Sequence, residues 1–333
     1  MTTPLILLTH TPQMRRSYYG DRALAGLRKL GAVRLHEADQ PLDAEGLVGA
    51  GQGAQIIVSD RNTPGYGEIF GRLPDLVAFL RVAVDIRNVD VSAASRAGVL
   101  VTHAGRTWVP AVSELVVGHM IGIARKIPEM VVAYRKGEAP QAVMGRQLHG
   151  SVAGIIGYGP LGRNVADLLI AFGMAVLVND PYVRVDRAAI EQVSLEEIVR
   201  RADFVLPLAV ANEETENLIG ETQLRAMKPT AYLVNLSRGN LIDEAALQRA
   251  LDEHWIAGAA LDVGRAPDQM PSAHLARRPD VVATPHIGGL TPTGIEGQAL
   301  ETVAQVREIL QGKAPDGAVN TQHAARLKLF AMG

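Results

Sequence analysis

Short apolar runs alternate with amphipathic stretches along most of the chain. Leu5–Thr9, Val33–His36, Gln55–Ser59, Leu76–Val84 and Val99–Thr102 read as strands, and Tyr18–Leu30, stopped by Gly31, and Val91–Ala97 read as helices. The pattern then changes to one long helical repeat from Pro110 to Arg135, with Leu115, Val116, His119, Met120, Ile123 and Ile127 at helical spacing. A buried parallel strand is expected at Val152–Ile156, a helix through Leu161, Val165, Leu168 and Leu169, and a second strand at Ala175–Val178. Further strands follow at Asp203–Leu208, Ala231–Asn235, Ile256–Leu261 and Val281–Thr284. A last helix, Pro292–Leu310, leads to a tail through Val319-Asn320 that returns to the first unit. This order predicts an α/β fold with doubly wound parallel sheets, the second domain inserted into the first. The expected limits are 1–104 with 287–333 for one domain and 105–286 for the other, with a ligand cleft between them.

The junction of the strand Val152–Ile156 with its helix carries Gly157-Tyr-Gly159-Pro-Leu-Gly162, and Asp180 closes the following strand. Each part has a task in holding a dinucleotide. Gly157 permits the tight turn, Gly159 lets the backbone approach a pyrophosphate, and Gly162 lets helix and strand pack closely. The helix N-terminus offers free N–H groups to the phosphates. Asp180 is placed to accept from the adenosine ribose hydroxyls and would repel a 2′-phosphate, so NAD is expected rather than NADP. Pro160 fits the first turn, where its missing N–H costs little.

Composition narrows the picture. With 333 residues, 47% of them hydrophobic, the chain can build two ordinary cores, and 20% charged residues suit a soluble protein. A net charge of −2 without long charged runs argues against nucleic acid or an anionic membrane as the main partner. No apolar run is long enough to span a bilayer, and MTTPLILLTH has no basic stretch ahead of its apolar run, so it reads as a first strand rather than a signal peptide. The absence of cysteine excludes disulfides, thiolate metal sites and cysteine nucleophiles. A cytoplasmic enzyme without a metal is expected.

Three segments sit just after predicted strands, at the carboxyl edge where open α/β sheets bind ligands: Asn235-Leu-Ser-Arg238-Gly239, Gly258-Ala-Ala-Leu-Asp262-Val263 and Thr284-Pro-His286-Ile-Gly-Gly289. With Asn88–Asp90, Val112–Glu114 and the Val319-Asn320 ending, they resemble the D-isomer-specific 2-hydroxyacid dehydrogenase family over nearly the whole chain. The resemblance implies two flavodoxin/Rossmann-like domains, an NAD-binding domain inserted into a substrate-binding one, a homodimer, and a small 2-oxo or 2-hydroxy acid as substrate. It implies Arg238 as the carboxylate ligand and His286 as acid/base. Chemistry agrees, since a carboxylate suits the guanidinium fork and a developing alkoxide needs a donor that titrates near neutrality. The resemblance places Leu161, Leu208, Ala209, Val210 and Thr215 with the cofactor, although 208–210 lack the family's His and Pro. It places Leu236, Ser237, Asp262 and Gly288 on the nicotinamide side, with Val109 against its face. Asp262 is the expected partner of the nicotinamide amide or its ribose.

Two departures stand out. Most members carry a glutamate five residues after the Ala-Leu-Asp-Val aspartate, where this chain has Pro267. Three readings stand: Asp268 reaches His286, Gln269 or another neutral group serves, or His286 has no relay partner. A carboxylate there would raise the histidine's pKa. The second departure is the loop Val82–Asn88, with Asp85 where relatives often have glycine. Either Asp85 pairs with Arg87 and faces solvent, or it selects a substrate with an extra hydroxyl or amine. Arg61, Ile86 and Arg87 are the other expected substrate contacts, and Trp108 is either a cleft wall or packing. Two alternatives remain at this point: a dehydrogenase of another small anion, and a non-catalytic NAD-sensing binding protein.

Overall fold

The computed structural model describes residues 3–331, so residues 1, 2, 332 and 333 of the expected domain limits lie outside it. The chain divides into two compact units, Met1–Trp108 with Thr291–Gly333, and Val109–Leu290.

The first unit holds a five-stranded sheet of β1 (Leu5–Leu8), β2 (Ala32–Leu35), β3 (Ile56–Ser59), β4 (Ala78–Arg81) and β5 (Leu100–His103). The strands are parallel and ordered β2-β1-β3-β4-β5, the flavodoxin order. Side chains alternate across the sheet, so each strand feeds two cores. Ile6, Leu8, Ile56, Val58 and Leu80 pack with Leu27 and with Val303, Val306 and Ile309 of the helix Pro292–Ile309. Leu7, Ile57, Phe79 and Val101 pack with Leu47, Phe70 and Leu73 on the other face. The expected helix over 18–30 is the shorter Asp21–Arg28, and a separate helix that the sequence pattern does not mark, Pro12–Tyr18, precedes it, with Gly20 at φ 82 between them. The expected tail does return: Val319 N–H donates to Val101, and the buried Asn320 amide accepts from Val101 N–H and donates to Val99.

His10, just past β1, is 1% exposed, its ring lies 5.0 Å from the Tyr19 ring at a tilt of 60°, and its Nδ1 has no hydrogen-bond partner. Burial pushes its pKa down to about 4, against the opposing pull of Asp60. The folded value lies below the unfolded one, so the neutral ring's contribution is complete above the unfolded value and is lost as pH falls toward the folded one. Between pH 6.5 and 5 the loss is about 1.6 kcal/mol. Urea unfolding at the two pH values should show this slope in the parent and lose it in His10→Phe. An equal slope in both would assign the pH dependence to other groups.

The second unit holds seven parallel strands: β6 (Val152–Ile156), β7 (Ala175–Asn179), β8 (Ile190–Gln192), β9 (Phe204–Pro207), β10 (Tyr232–Asn235), β11 (Gly258–Leu261) and β12 (Val281–Ala283). Their order is β12-β11-β10-β9-β6-β7-β8, the dinucleotide-binding order with one strand added. The chain reverses direction across the sheet between β6 and β9, which puts a ligand crevice at their carboxyl ends. The expected long helix is two, Val109–Ala124 and Ile127–Arg135, because Lys126 adopts φ 53 between them. The first buries Val112, Val116, Met120 and Ile123 and packs on the helix Pro160–Ala171 and on β10–β12. Among the described residues no helix is long and apolar enough to cross a membrane, and no group of three His, Cys, Asp or Glu could hold a metal ion.

Candidate active site

The glycine turn after β6 is shaped by close approaches. Gly157 has φ +100, and a Cβ there would stand 2.6 Å from the Ala209 backbone in the loop after β9. A Cβ on Gly162 would collide with the Gly157 carbonyl. Gly159 differs, since a Cβ would meet nothing within 4 Å. It is also the N-cap of the helix Pro160–Ala171, without a side-chain cap. The helix therefore starts without a side-chain cap, at a glycine with open space where a side chain would stand, the features a pyrophosphate requires. Leu161 is buried behind the turn.

Asp180 lies at the end of β7, beside this turn. Its Oδ2 accepts from Tyr158 N–H at 2.7 Å, and its Oδ1 accepts from Tyr182 and Val183 N–H at 2.9 and 3.1 Å. The carboxylate thus ties the glycine turn to the β7 loop, and its two oxygens have further acceptor capacity for ribose hydroxyls. Leu208 is buried, Val210 is 79% exposed, and Thr215 Oγ1 donates to Val210 O at 2.7 Å, which fixes the loop after β9. Ser237 Oγ donates to Ala209 O at 3.3 Å and links that loop to the one after β10, where Leu236 is buried. The residues around the glycine turn therefore fit a dinucleotide.

Asn235 builds the next loop. This fully buried amide accepts from Ser237 N–H at 3.1 Å and donates to Arg238 O at 2.9 Å, which folds the chain into a turn carrying Arg238. The half-buried guanidinium donates from Nη1 to Ser237 O at 2.8 Å.

Asp262, 1% exposed beyond β11, organises the third loop. Its Oδ1 accepts from Thr284 Oγ1 at 2.6 Å and Ile287 N–H at 2.9 Å, its Oδ2 accepts from Gly288 N–H at 2.8 Å, and its carbonyl accepts from His286 N–H at 2.9 Å. The expected direct partner of the nicotinamide is therefore first a clamp on residues 284–288. Thr284 Oγ1 also lies 3.0 Å from Nε2 of His119, whose Nδ1 lies 3.1 Å from Leu115 O. Burial lowers the His119 pKa, and Asp262 opposes that shift.

His286 has φ 54 and presents Nδ1 to Asp268 at 2.7 Å. The acceptor is the main-chain carbonyl of Asp268, not the carboxylate that the sequence suggested. Asp268 and Gln269 both adopt positive φ, 58 and 57, and this turn aims the carbonyl at the ring. The carbonyl can only accept, so Nδ1 carries the proton and this bond leaves Nε2 uncommitted. Gln269 Oε1 is buried without a hydrogen-bond partner.

The expected substrate residues lie in the first unit. Asp85 forms a two-pronged pair with Arg87, from Nε at 3.0 Å and Nη2 at 2.6 Å, and the Arg87 side chain is 71% exposed. Ile86 packs against the core holding Phe79 and Val89, and the Arg61 guanidinium stands 5.4 Å over the Tyr18 ring. Arg81, at the end of β4, is not among the residues that the sequence motifs single out. This 3% exposed side chain donates to the carbonyls of Asp60, Arg61 and Thr63 and, at 3.4 Å, to that of Asp85. Burial lowers its pKa to about 10, so it stays cationic at neutral pH and knits the 60–63 and 82–87 loops together. Arginine within an apolar strand was the signal available for it.

The chain is similar to known proteins. The model of the D-isomer specific 2-hydroxyacid dehydrogenase NAD binding domain matches residues 117–288. Over 314 residues, 92% of this chain, the sequence is 32% identical to a D-3-phosphoglycerate dehydrogenase of Methanocaldococcus jannaschii and spans 59% of that protein. It is 30% identical to a glyoxylate reductase of Korarchaeum cryptofilum, covering 91% of this chain and 93% of the other. The crystal structure of a Thermus thermophilus protein, 30% identical, matches with a TM-score of 0.83 over 95% of this chain and 99% of that one.

Proposed function

The chain belongs to the D-isomer specific 2-hydroxyacid dehydrogenase family, and we propose that it interconverts a D-2-hydroxy acid and its 2-oxo acid, using NAD, with His286 as acid/base and Arg238 as the carboxylate and carbonyl ligand. The observation that carries this reading is the convergence of three carboxyl-edge loops in the second unit. One is an uncapped glycine turn, one presents an arginine on an Asn235-built turn, and one presents a histidine whose Nδ1 is fixed by a carbonyl. When bound, the nicotinamide supplies or accepts the hydride. Arg238 offers fork geometry to the substrate carboxylate and a positive charge to the carbonyl oxygen. His286 gives its Nε2 proton to the developing alkoxide and is left as the Nδ1–H tautomer that the Asp268 carbonyl favours. In the oxidative direction Nε2 takes the hydroxyl proton.

Asp180 supports NAD over NADP, because a carboxylate held by three backbone N–H groups stands where a 2′-phosphate would bring more negative charge. Substrate choice is assigned to Arg61, Ile86 and the Asp85–Arg87 pair. The names of the relatives direct the first trials to glyoxylate and to the 2-oxo acid of 3-phosphoglycerate. Oxidation of NADH and NADPH should be followed with these and with pyruvate, hydroxypyruvate, and branched and aromatic 2-oxo acids. Turnover with NADH supports the proposal. No turnover across the panel with NADH binding intact would overturn it in favour of a binding role.

Asp268→Asn separates the two groups of that residue. Asparagine tolerates positive φ and retains the main-chain carbonyl, so the pH profile of kcat/KM should match the parent's. A displaced acid limb would return the carboxylate to the mechanism. A homodimer is proposed through the helix Ile127–Arg135 and its following loop, where Ile127, Val131, Val132 and Tyr134 are exposed and Met144 is 100% exposed. Light scattering should give twice the chain mass, and a monomer would contradict it.

A further inference from the structure

His119 is absent from the catalytic assignments above, yet it is 4% exposed and joined to the loop that carries His286. Three contacts run in series: His119 Nδ1 to Leu115 O, His119 Nε2 to Thr284 Oγ1, and Thr284 Oγ1 to Asp262 Oδ1. Each contact needs one proton, and the Leu115 carbonyl has none to give. A neutral His119 and the Thr284 hydroxyl hold two between them. The third must come from outside, to complete either an imidazolium beside a carboxylate or a neutral ring beside a carboxylic acid. Without it one of the three contacts is open.

We propose that His119 is a positioning residue for the 286–288 turn, acting through Thr284 and Asp262, and that uptake of one proton by this series closes it. Asp262 accepts from Ile287 and Gly288 N–H through its carboxylate and from His286 N–H through its carbonyl. A change of charge or hydrogen bonding at Asp262 is therefore transmitted to all three residues. The catalytic consequence rests on the reading of His286 as acid/base; the hydrogen-bond switch does not.

The charged groups on the surrounding elements leave Asp262 as the partner. The helix Pro160–Ala171 carries Arg163, which donates to Tyr158 O, and Asp167, which pairs with Arg187. Glu129 and Arg135 lie on the helix Ile127–Arg135, and the exposed Glu114 on His119's own helix. β11 and β12 carry no ionisable side chain, and Tyr232 of β10 stacks on Phe204. Asp262 is the charge that acts on the ring.

The test is a pH titration of isotope-labelled protein by NMR, following the His119 ring nitrogens and the Ile287 and Gly288 amides. In the parent, ring and amides should move together through one midpoint. In His119→Gln, which donates to Thr284 but does not titrate, the amide step should disappear. Thr284→Val, an isosteric change at a strand end, should uncouple the amides from the ring, whereas Thr284→Ser should keep them coupled. The valine variant carries the test if the buried glutamine prevents folding. Amides that ignore His119 in the parent, or titrate unchanged in both variants, overturn the proposal. In kinetics, His119→Gln should alter the acid limb of kcat while the KM for the 2-oxo acid holds. A shared midpoint in a protein that reduces no 2-oxo acid would leave the switch standing and remove the dehydrogenase reading.

Discussion

Replacing His286 with alanine is expected to lower kcat by roughly 10²–10⁴ while NADH binding persists, because the change removes the proposed proton donor and leaves the glycine turn untouched. In the structure His286 Nδ1 is held 2.7 Å from the Asp268 carbonyl, and in the proposed reaction Nε2 is then the nitrogen that serves the substrate oxygen. The φ of 54 at this residue introduces a separate effect. A left-handed conformation costs most non-glycine residues about 1–2 kcal/mol, so alanine also strains the turn. Asparagine accepts that conformation more readily, and His286→Asn should therefore lose as much kcat with a parental melting temperature. A large loss in alanine only would point to loop geometry, and parental kcat in both would remove His286 from the chemistry.

Arg238→Lys is expected to lower kcat/KM by about 10²–10³, the scale associated with losing a group that stabilises the developing charge. Lysine keeps the positive charge, so a loss of this size comes from the fork geometry that binds a carboxylate through two parallel bonds. Asn235 holds the turn through Ser237 N–H and Arg238 O, both main-chain groups that survive the substitution. The loop should stay in place, and the defect should be largest for substrates whose carboxylate is intact. Parental kcat/KM would mean that a point charge suffices.

Much of this arrangement was legible because it is written in side chains. The strand Val152–Ile156, three spaced glycines, a helix with Leu161 and Val165 on its buried face, and Asp180 closing the next strand appear in the structure as β6, the turn, a helix and β7. Elements whose determinants are local backbone conformations were harder to read. Lys126 is a non-glycine residue in the left-handed region, and nothing in its identity marks the end of the helix Val109–Ala124. The helix Ala44–Gly51 contains three glycines, which blur its helical signal, although Asp43 caps it by accepting from Gly46 N–H at 2.8 Å. β8 has the sequence Ile-Glu-Gln and pairs only with β7, so it carries no apolar run.

The same distinction runs through the site. Arg238, His286 and Asp262 were recognisable as residue types in a fixed order. The group that orients His286 is a peptide carbonyl, which every residue possesses, so the sequence could offer the Asp268 carboxylate or an unnamed neutral group but could not single out this carbonyl. Arg81 is a charge within an apolar strand, and only the fold reveals the carbonyls that offset its burial. His119 reads as one more position on a helical face until Thr284 is brought to its Nε2.

The most direct measurement of the central claim is chiral analysis of the product formed from a 2-oxo acid and NADH, with NADH loss followed in the same sample and His286→Asn run beside the parent. The expected product is a 2-hydroxy acid of D configuration, equimolar with the NADH consumed, with almost none from the variant. An L or racemic product, or an undiminished yield from His286→Asn, would contradict it.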